Sequence, residues 1–158
     1  MTIVAGTGHR PDKLGGYSED NFIKLVELCS IFLQFKNPKT VISGMALGYD
    51  QALAQASIDL KIDLIAAIPC KNQEEKWNKE SKMKYNKILS FAKEKILISD
   101  DYTPFCMQKR NIWMIDHCDE VVALFDGTNG GTKNCIDYAV KKNKPIFNMW
   151  TIWKENYQ

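Results

Sequence analysis

The chain has 158 residues, 45% of them hydrophobic and 25% charged, with a formal net charge of +2. That length and balance suit one globular domain with its own core. The charge excess is too small to call for a nucleic-acid partner, and no apolar run reaches the ~18 residues of a membrane span, so neither partner is expected.

Thr2 to Ala5 is a short β-rich run that stops at Gly6. From about Glu19 to Phe35, residues Phe22, Leu25, Val26, Cys29 and Leu33 fall on one helical face, and Ser18 is placed to cap the start. Thr40 to Ile42 predicts a second strand, ended by Ser43 and Gly44. A helix then starts near Tyr49 or Asp50 and carries Leu53, Ala56 and Leu60. A third strand runs from Asp63 to Ile68 and stops at Pro69. The lysine- and glutamate-rich stretch beyond it predicts a helix from about Glu74 to Ala92 with a solvated face. Lys95 to Ile98 reads as a fourth strand. A helix from about Pro104 to Cys118 follows, with proline at a favoured first-turn position. Glu120 to Phe125 is the fifth strand. A glycine-rich turn leads into a helix to about Lys142, and Pro145 to Trp150 forms the last strand. This alternation predicts an α/β domain, a parallel sheet with helices on both faces, spanning residues 1–158. Runs such as "VVALF" and "DLIAAI" suit strands buried on both sides.

Open parallel sheets bind ligands at the carboxyl ends of their strands. The unusual residues of this chain gather there: "GTGHRPDKLGGY", "SGMALGYD", "PCKNQEEKW", "SDDYTPF" and "DGTNGGT" follow strands one to five in turn. In the last loop, Gly127, Gly130 and Gly131 allow unusual backbone angles and close approach of a ligand. Free N–H groups at the next helix start favour an anion, and Thr128 and Thr132 add hydroxyls. Phosphate is the expected guest; a plain turn capped by Thr132 is the alternative. Ser43, Gly44 and Gly48 form a second loop of the same kind. Neither loop matches the dinucleotide GxGxxG or the Walker pattern.

Gly8, His9 and Arg10 follow the first strand, where Arg10 suits bidentate pairing with phosphate or a structural ion pair. Asp50 is placed to accept from a ribose hydroxyl or a base amine, or to serve as a helix N-terminal carboxylate. Trp77 is a candidate for stacking on a base, or a core tryptophan. Arg110 is a further candidate for phosphate, with Asn111 beside it. His117 suits a helix C-terminus.

The five cysteines, Cys29, Cys70, Cys106, Cys118 and Cys135, contain no CxxC pair, and the chain has two histidines. A zinc site and a disulfide framework are unexpected, as is any other metal or cofactor. Reduced thiols and the lack of a signal-peptide pattern lead to a cytoplasmic expectation.

The motifs "GTGHRP…LGGY", "SGMALGYD", "IPCKNQEEKW", "RNIWMID" and "FDGTNGGT…YA", in that order over residues 2 to 150, resemble the SLOG superfamily of Rossmann-like nucleotide-binding proteins. The nearest resemblance is to a branch of small proteins that also occurs in phages. It implies a single Rossmann-like domain holding a nucleotide or ribose-phosphate metabolite, such as an ADP-ribose-type signal, across the strand ends. SLOG relatives include LOG-type phosphoribohydrolases, DNA-processing protein A and sensor domains. LOG-type hydrolases carry glutamates soon after the GGxGT turn, and nucleoside deoxyribosyltransferases have a nucleophilic glutamate in a similar segment. Here Lys133, Asn134, Cys135, Ile136 and Asp137 follow Thr132. Cys135 takes the aligned position and is expected to pack, while Asp137 is displaced by two. Cleavage of an N-glycosidic bond needs a carboxylate facing an oxocarbenium-like centre. The expected function is therefore a sensor or sequestering protein for a nucleotide-like small molecule. The alternative is an enzyme cleaving an N-glycosidic or phosphate bond, with Asp50, Glu74, Glu75 or Asp126 supplying the carboxylate. A DNA-associated protein is a lesser alternative. The tryptophans and the "IFNMWTIW" tail offer a candidate homo-oligomer interface.

Overall fold

A computed structural model describes residues 2–158. Its strands are β1 (Ile3–Gly8), β2 (Thr40–Ser43), β3 (Asp63–Cys70), β4 (Glu94–Ser99), β5 (Glu120–Leu124) and β6 (Ile146–Asn148). Its α-helices are α1 (Glu19–Lys36), α2 (Tyr49–Asp59), α3 (Lys79–Ser90), α4 (Cys106–Asp116), α5 (Gly131–Lys141) and α6 (Trp150–Tyr157), with a short 3-10 turn at Pro11–Lys13. The strands form one sheet in the order β4-β3-β2-β1-β5-β6, and every pair is parallel.

Side-chain alternation along the central strands divides the core in two. Val4, Val41, Ala66 and Val122 face the layer of α1, α2, α3 and α6. Their neighbours Ala5, Ile42, Ala67 and Val121 face α4 and α5. The sheet grows outward from β1 in one direction through β4, then the chain returns across it to place β5 on the other side of β1. Right-handed crossovers require the helices to change face at that reversal, as they do here. The expected single α/β domain with both faces covered is the observed one.

Ser18 caps α1 as the sequence indicates, accepting from the Asn21 N–H at 3.1 Å. Four boundaries differ most from expectation. β1 continues through Gly6 to Gly8, because Gly6, Thr7 and Gly8 pair with Val122, Ala123 and Leu124 of β5. β3 continues through Pro69 to Cys70, because β2 ends at Ser43 opposite Ala66 and no neighbour on that side needs a donor from Pro69. α3 begins at Lys79 instead of Glu74, where the Asn78 side chain accepts from the Ser81 N–H at 2.8 Å. The residues before it form turns, with Asn72 at a φ of 59° and Trp77 N–H donating to Glu74 O at 2.9 Å. Pro104 likewise precedes α4, which begins at Cys106.

The tail is the larger correction. Past Asn148 it forms α6, and Met149 and Trp153 are buried in the chain's own core. They are not available as oligomer contacts. The aromatic content hid the helical spacing of Met149, Trp150 and Trp153.

Gly48 sits at φ 92°, and a Cβ there would lie 2.8 Å from the His9 carbonyl oxygen and 2.9 Å from Pro11 Cδ. Its role is to let the β1 loop cross the start of α2. Gly48→Ala should therefore lower the stability of ligand-free protein by about 1–3 kcal/mol, read as a shifted urea midpoint.

Candidate functional site

A cleft of about 420 Å³ opens at the carboxyl ends of β1 and β5. This is where the strand order reverses, the position at which doubly wound sheets bind ligands. Its lining comes from three walls. The end of β1 and the following turn supply Gly8, His9, Arg10, Asp12 and Lys13. The β5–α5 loop supplies Asn129, Gly130, Gly131 and Thr132. The start of α2 and one face of α4 supply Asp50, Met107, Arg110, Asn111 and Met114.

Gly130 is the N-cap of α5, and no side chain caps this helix. The N–H groups of Gly131, Thr132 and Lys133 precede the first helical bond, which runs from Asn134 N–H to Gly130 O at 3.1 Å. They and the helix dipole favour an anion at this wall. Across the mouth, the turn and the loop are already joined, because Lys13 Nζ donates to the Thr128 hydroxyl. Thr128 in turn donates from N–H at 2.9 Å and from its hydroxyl at 2.6 Å to Asp126 Oδ1. His9 Nε2 accepts from the Asp126 N–H at 3.0 Å and lies 2.8 Å from the same carboxylate oxygen.

This circuit assigns Asp126 and His9 to loop order. Burial of Asp126 opposes its charge, yet the Thr128 hydrogen bonds and the nearby His9 and Lys13 hold its pKa down at about 2. Burial lowers the His9 pKa against the pull of Asp126, so the imidazole is neutral near pH 7.

Asp50 and Arg110 are the buried charges of the cleft, each 7% exposed. Asp50 Oδ2 accepts weakly from Ala46 N–H at 3.4 Å, and Oδ1 is buried without a hydrogen-bond partner. Burial raises the Asp50 pKa from 3.8 to about 6, against the lowering effect of Arg110, the Ala46 N–H and Arg10. Arg110 donates from Nη1 to Gly44 O at 2.7 Å and from Nε to Asn111 Oδ1 at 3.1 Å. Asn111 Nδ2 reaches Gly131 O at 3.4 Å, linking α4 to the glycine loop.

Gly8, His9, Arg10, Asp50, Arg110, Asn111, Gly130, Gly131 and Thr132, all singled out in the sequence, thus line one cleft. The others lie outside it. Ser43 is fully buried, accepting from Met45 N–H and donating to Asp50 O, so it holds the start of α2. Gly44 makes room for the Arg110 guanidinium. Gly48 is the crossing point described above. Asp126 is behind the loop, and Gly127 is its exposed left-handed turn residue at φ 93°. Trp77 packs edge-on against Tyr85 at 5.3 Å between centroids, so it joins the core margin instead of stacking on a base. Glu74 and Glu75 stand in the turns before α3, away from the cleft lining. Cys135 is buried and its thiol is pushed up to about 12, as a packing residue requires. Asp137 is exposed and paired with Lys133.

Met107, Met114, Asp12 and Lys13 were missed. The methionines stand three before and four after Arg110, a spacing that a helical reading of α4 contains. Among the described residues there is no His, Cys, Asp and Glu cluster suited to a metal ion, and no helix is long and apolar enough to cross a membrane.

The family model YpsA, described as the YspA SLOG family, matches residues 4–155. The chain belongs to this SLOG family. A Bacillus subtilis relative, the SPbeta prophage-derived protein YoqJ, is 36% identical over 75% of this chain and 79% of its own length. Among solved structures, DNA processing protein A of Streptococcus pneumoniae superposes with a TM-score of 0.67 at 18% identity, over 93% of this chain. The chain spans 50% of that protein's length. The molybdenum cofactor binding protein of Rippkaea orientalis gives a TM-score of 0.61 at 16% identity, covering 98% of this chain and 80% of that one. At these identities the structural likenesses establish the SLOG-type fold. With a DNA-processing protein among them, low net charge gives no ground for excluding nucleic acid.

Asp50 also generates a stability prediction. Its folded pKa exceeds the unfolded one, so the native state binds the extra proton between about pH 4 and 6, and stability falls as pH rises through that window. At about 1.4 kcal/mol per pH unit the full penalty above pH 6 approaches about 3 kcal/mol. Asp50→Asn should stabilise ligand-free protein at pH 8 and lose that advantage near pH 4, as read by urea unfolding across pH.

Proposed function

We propose that the chain binds a nucleotide or ribose-phosphate metabolite, of which an ADP-ribose-type signal is one form, and acts as a sensor or sequestering protein. One observation carries this reading: the uncapped N-terminus of α5 and Asp50, a carboxylate with one oxygen buried and unpartnered, line the same cleft. The phosphate belongs at the N–H groups of Gly131 to Lys133, within reach of Arg10 and Lys13. Asp50 takes a hydrogen-bond donor from the rest of the ligand. SLOG membership supports this reading, as does the existence of a cofactor-binding protein with the same fold. The YoqJ kinship supports a phage-associated setting.

Asp50 favours one second reading. A cleft carboxylate with a pKa of about 6 can move a proton near neutral pH, which suits cleavage of an N-glycosidic bond. Heating a complex with AMP or ADP-ribose and analysing the products separates the two. Intact nucleotide supports binding alone. Free base or ribose phosphate, abolished by Asp50→Asn, supports catalysis.

A Cβ at Gly131 would meet nothing within 4 Å, and its backbone angle is ordinary. Nothing inside the protein requires glycine there. Gly131→Ala should raise the ligand-free melting temperature slightly, since alanine is favoured by up to about 1 kcal/mol in a helix. The same change should weaken AMP or ADP-ribose binding at least tenfold, because the new methyl stands where the phosphate approaches. Unchanged affinity by calorimetry removes the phosphate from this wall.

Thr132→Val keeps shape and removes a hydroxyl. A hydrogen bond to a charged group contributes about 1.5–3 kcal/mol, so affinity should fall roughly 10- to 150-fold with near-native circular dichroism. A loss of stability at unchanged affinity would make Thr132 a cap.

A further inference from the structure

Asp50 and Arg110 are opposite charges in one cleft, yet they make no direct hydrogen bond to each other. Each retains capacity. Asp50 Oδ1 lacks any partner. Arg110 spends Nη1 on Gly44 O and Nε on Asn111, while Nη2 has only the Met107 sulfur at 3.9 Å. Leaving a carboxylate oxygen and a guanidinium N–H unsatisfied at 7% exposure is costly, and an ion pair would be the ordinary remedy. Both are held apart by the backbone. Asp50 is fixed in the first turn of α2, and Arg110 is drawn to the Gly44 carbonyl, where only a glycine leaves room for its guanidinium.

The surroundings narrow the guest. Met107, Arg110, Asn111 and Met114 form a stripe on α4 at helical spacing, and all four line the cleft. The Met107 sulfur lies 3.9 Å from Arg110 Nη2, and Met114, one turn further along α4, adds polarisable apolar lining. That suits the faces of a planar ring better than a sugar. A flat group presenting one donor and one acceptor on the same edge satisfies both charges together.

We infer that Asp50 and Arg110 form a base-reading subsite, which takes the donor–acceptor edge of a nucleobase. The amine or imide N–H donates to Asp50, and the adjacent ring nitrogen or carbonyl accepts from Arg110. This rests on the phosphate-bearing ligand proposed above and places its base between Asp50 and the α4 wall, which Asn111 joins to the glycine loop. Sites that hydrogen-bond a ligand group reject analogues lacking it, because their own buried groups are then left unpaired.

Calorimetry on the purified chain tests it with AMP, GMP, CMP, UMP, their 2′-deoxy forms, ribose 5-phosphate, adenosine and purine riboside 5′-monophosphate, which lacks the exocyclic amine. At least one of the four nucleotides should bind ten or more times more tightly than ribose 5-phosphate and the amine-free analogue. Asp50→Asn should reduce that advantage to under about threefold, and Arg110→Lys, which keeps the charge but not the planar fork, should do the same. Circular dichroism and thermal melts of both variants establish that they are folded. If ribose 5-phosphate binds as tightly as every nucleotide, or if the preference survives in both folded variants, the base-reading assignment is wrong while the phosphate site stands. If adenosine equals AMP and loses affinity in Asp50→Asn, the phosphate site fails and the base subsite stands. A preference lost with 2′-deoxynucleotides but kept with the amine-free analogue assigns Asp50 to the ribose and overturns the inference. Absence of binding by every probe overturns both.

Discussion

Gly6 and Gly8 let the first turns of α2 lie directly against the end of β1. A Cβ at Gly8 would run into the Tyr49 ring, and one at Gly6 into Leu53. Close packing of this kind tolerates no extra methyl on a rigid strand. The contact fixes where α2 starts, and so where Asp50 sits relative to the β1 loop. Ser43 reinforces it by donating to the Asp50 carbonyl at 2.7 Å. The placement of the buried carboxylate is therefore a property of the core as much as of the cleft.

A similar economy governs the opposite wall. Arg110 crosses from α4 to the carbonyl of Gly44, and Asn111 crosses from α4 to that of Gly131. Two consecutive residues tie the returning helix to the loops after β2 and β5. These contacts hold the α4 wall of the cleft against the loops after β2 and β5. The hydrogen-bonded circuit through Lys13, Thr128, Asp126 and His9 orders the glycine-loop wall before any ligand arrives. Pre-ordered loops lower the entropic cost of binding.

The strands, their parallel arrangement and the position of the cleft are legible because each signal is local or follows from topology. Apolar runs mark the buried strands, and glycine-rich loops at their ends mark one edge. What stayed illegible depended on tertiary context. Gly44, Gly48 and Gly131 look alike in a string of letters. The first accommodates a guanidinium from α4, the second a crossing loop, and the third nothing inside the protein. Asp126 and Asp50 both follow a strand or open a helix, yet one is held by Thr128 and His9 while the other has an empty oxygen. Trp77 was read on a helix that starts two residues later, beyond the cap at Asn78. The last strand, expected to reach Trp150, ends at Asn148, and α6 beyond it goes unread because its apolar residues continue directly from β6.

All five cysteines are free and buried, spread over α1, the end of β3, both ends of the α4 segment and α5. Burial pushes the thiols of Cys29, Cys118 and Cys135 upward, Cys118 to about 11 and Cys135 to about 12. Thiolate is the reactive form, so the closed molecule is nearly inert to alkylating reagents. Labelling proceeds through opened molecules, at rates set by how often each region exposes its sulfur. The chain thus carries native clocks for breathing in separate parts of the sheet's two layers. Identifying the labelled peptides in order of appearance would map which elements part first, without introducing a probe.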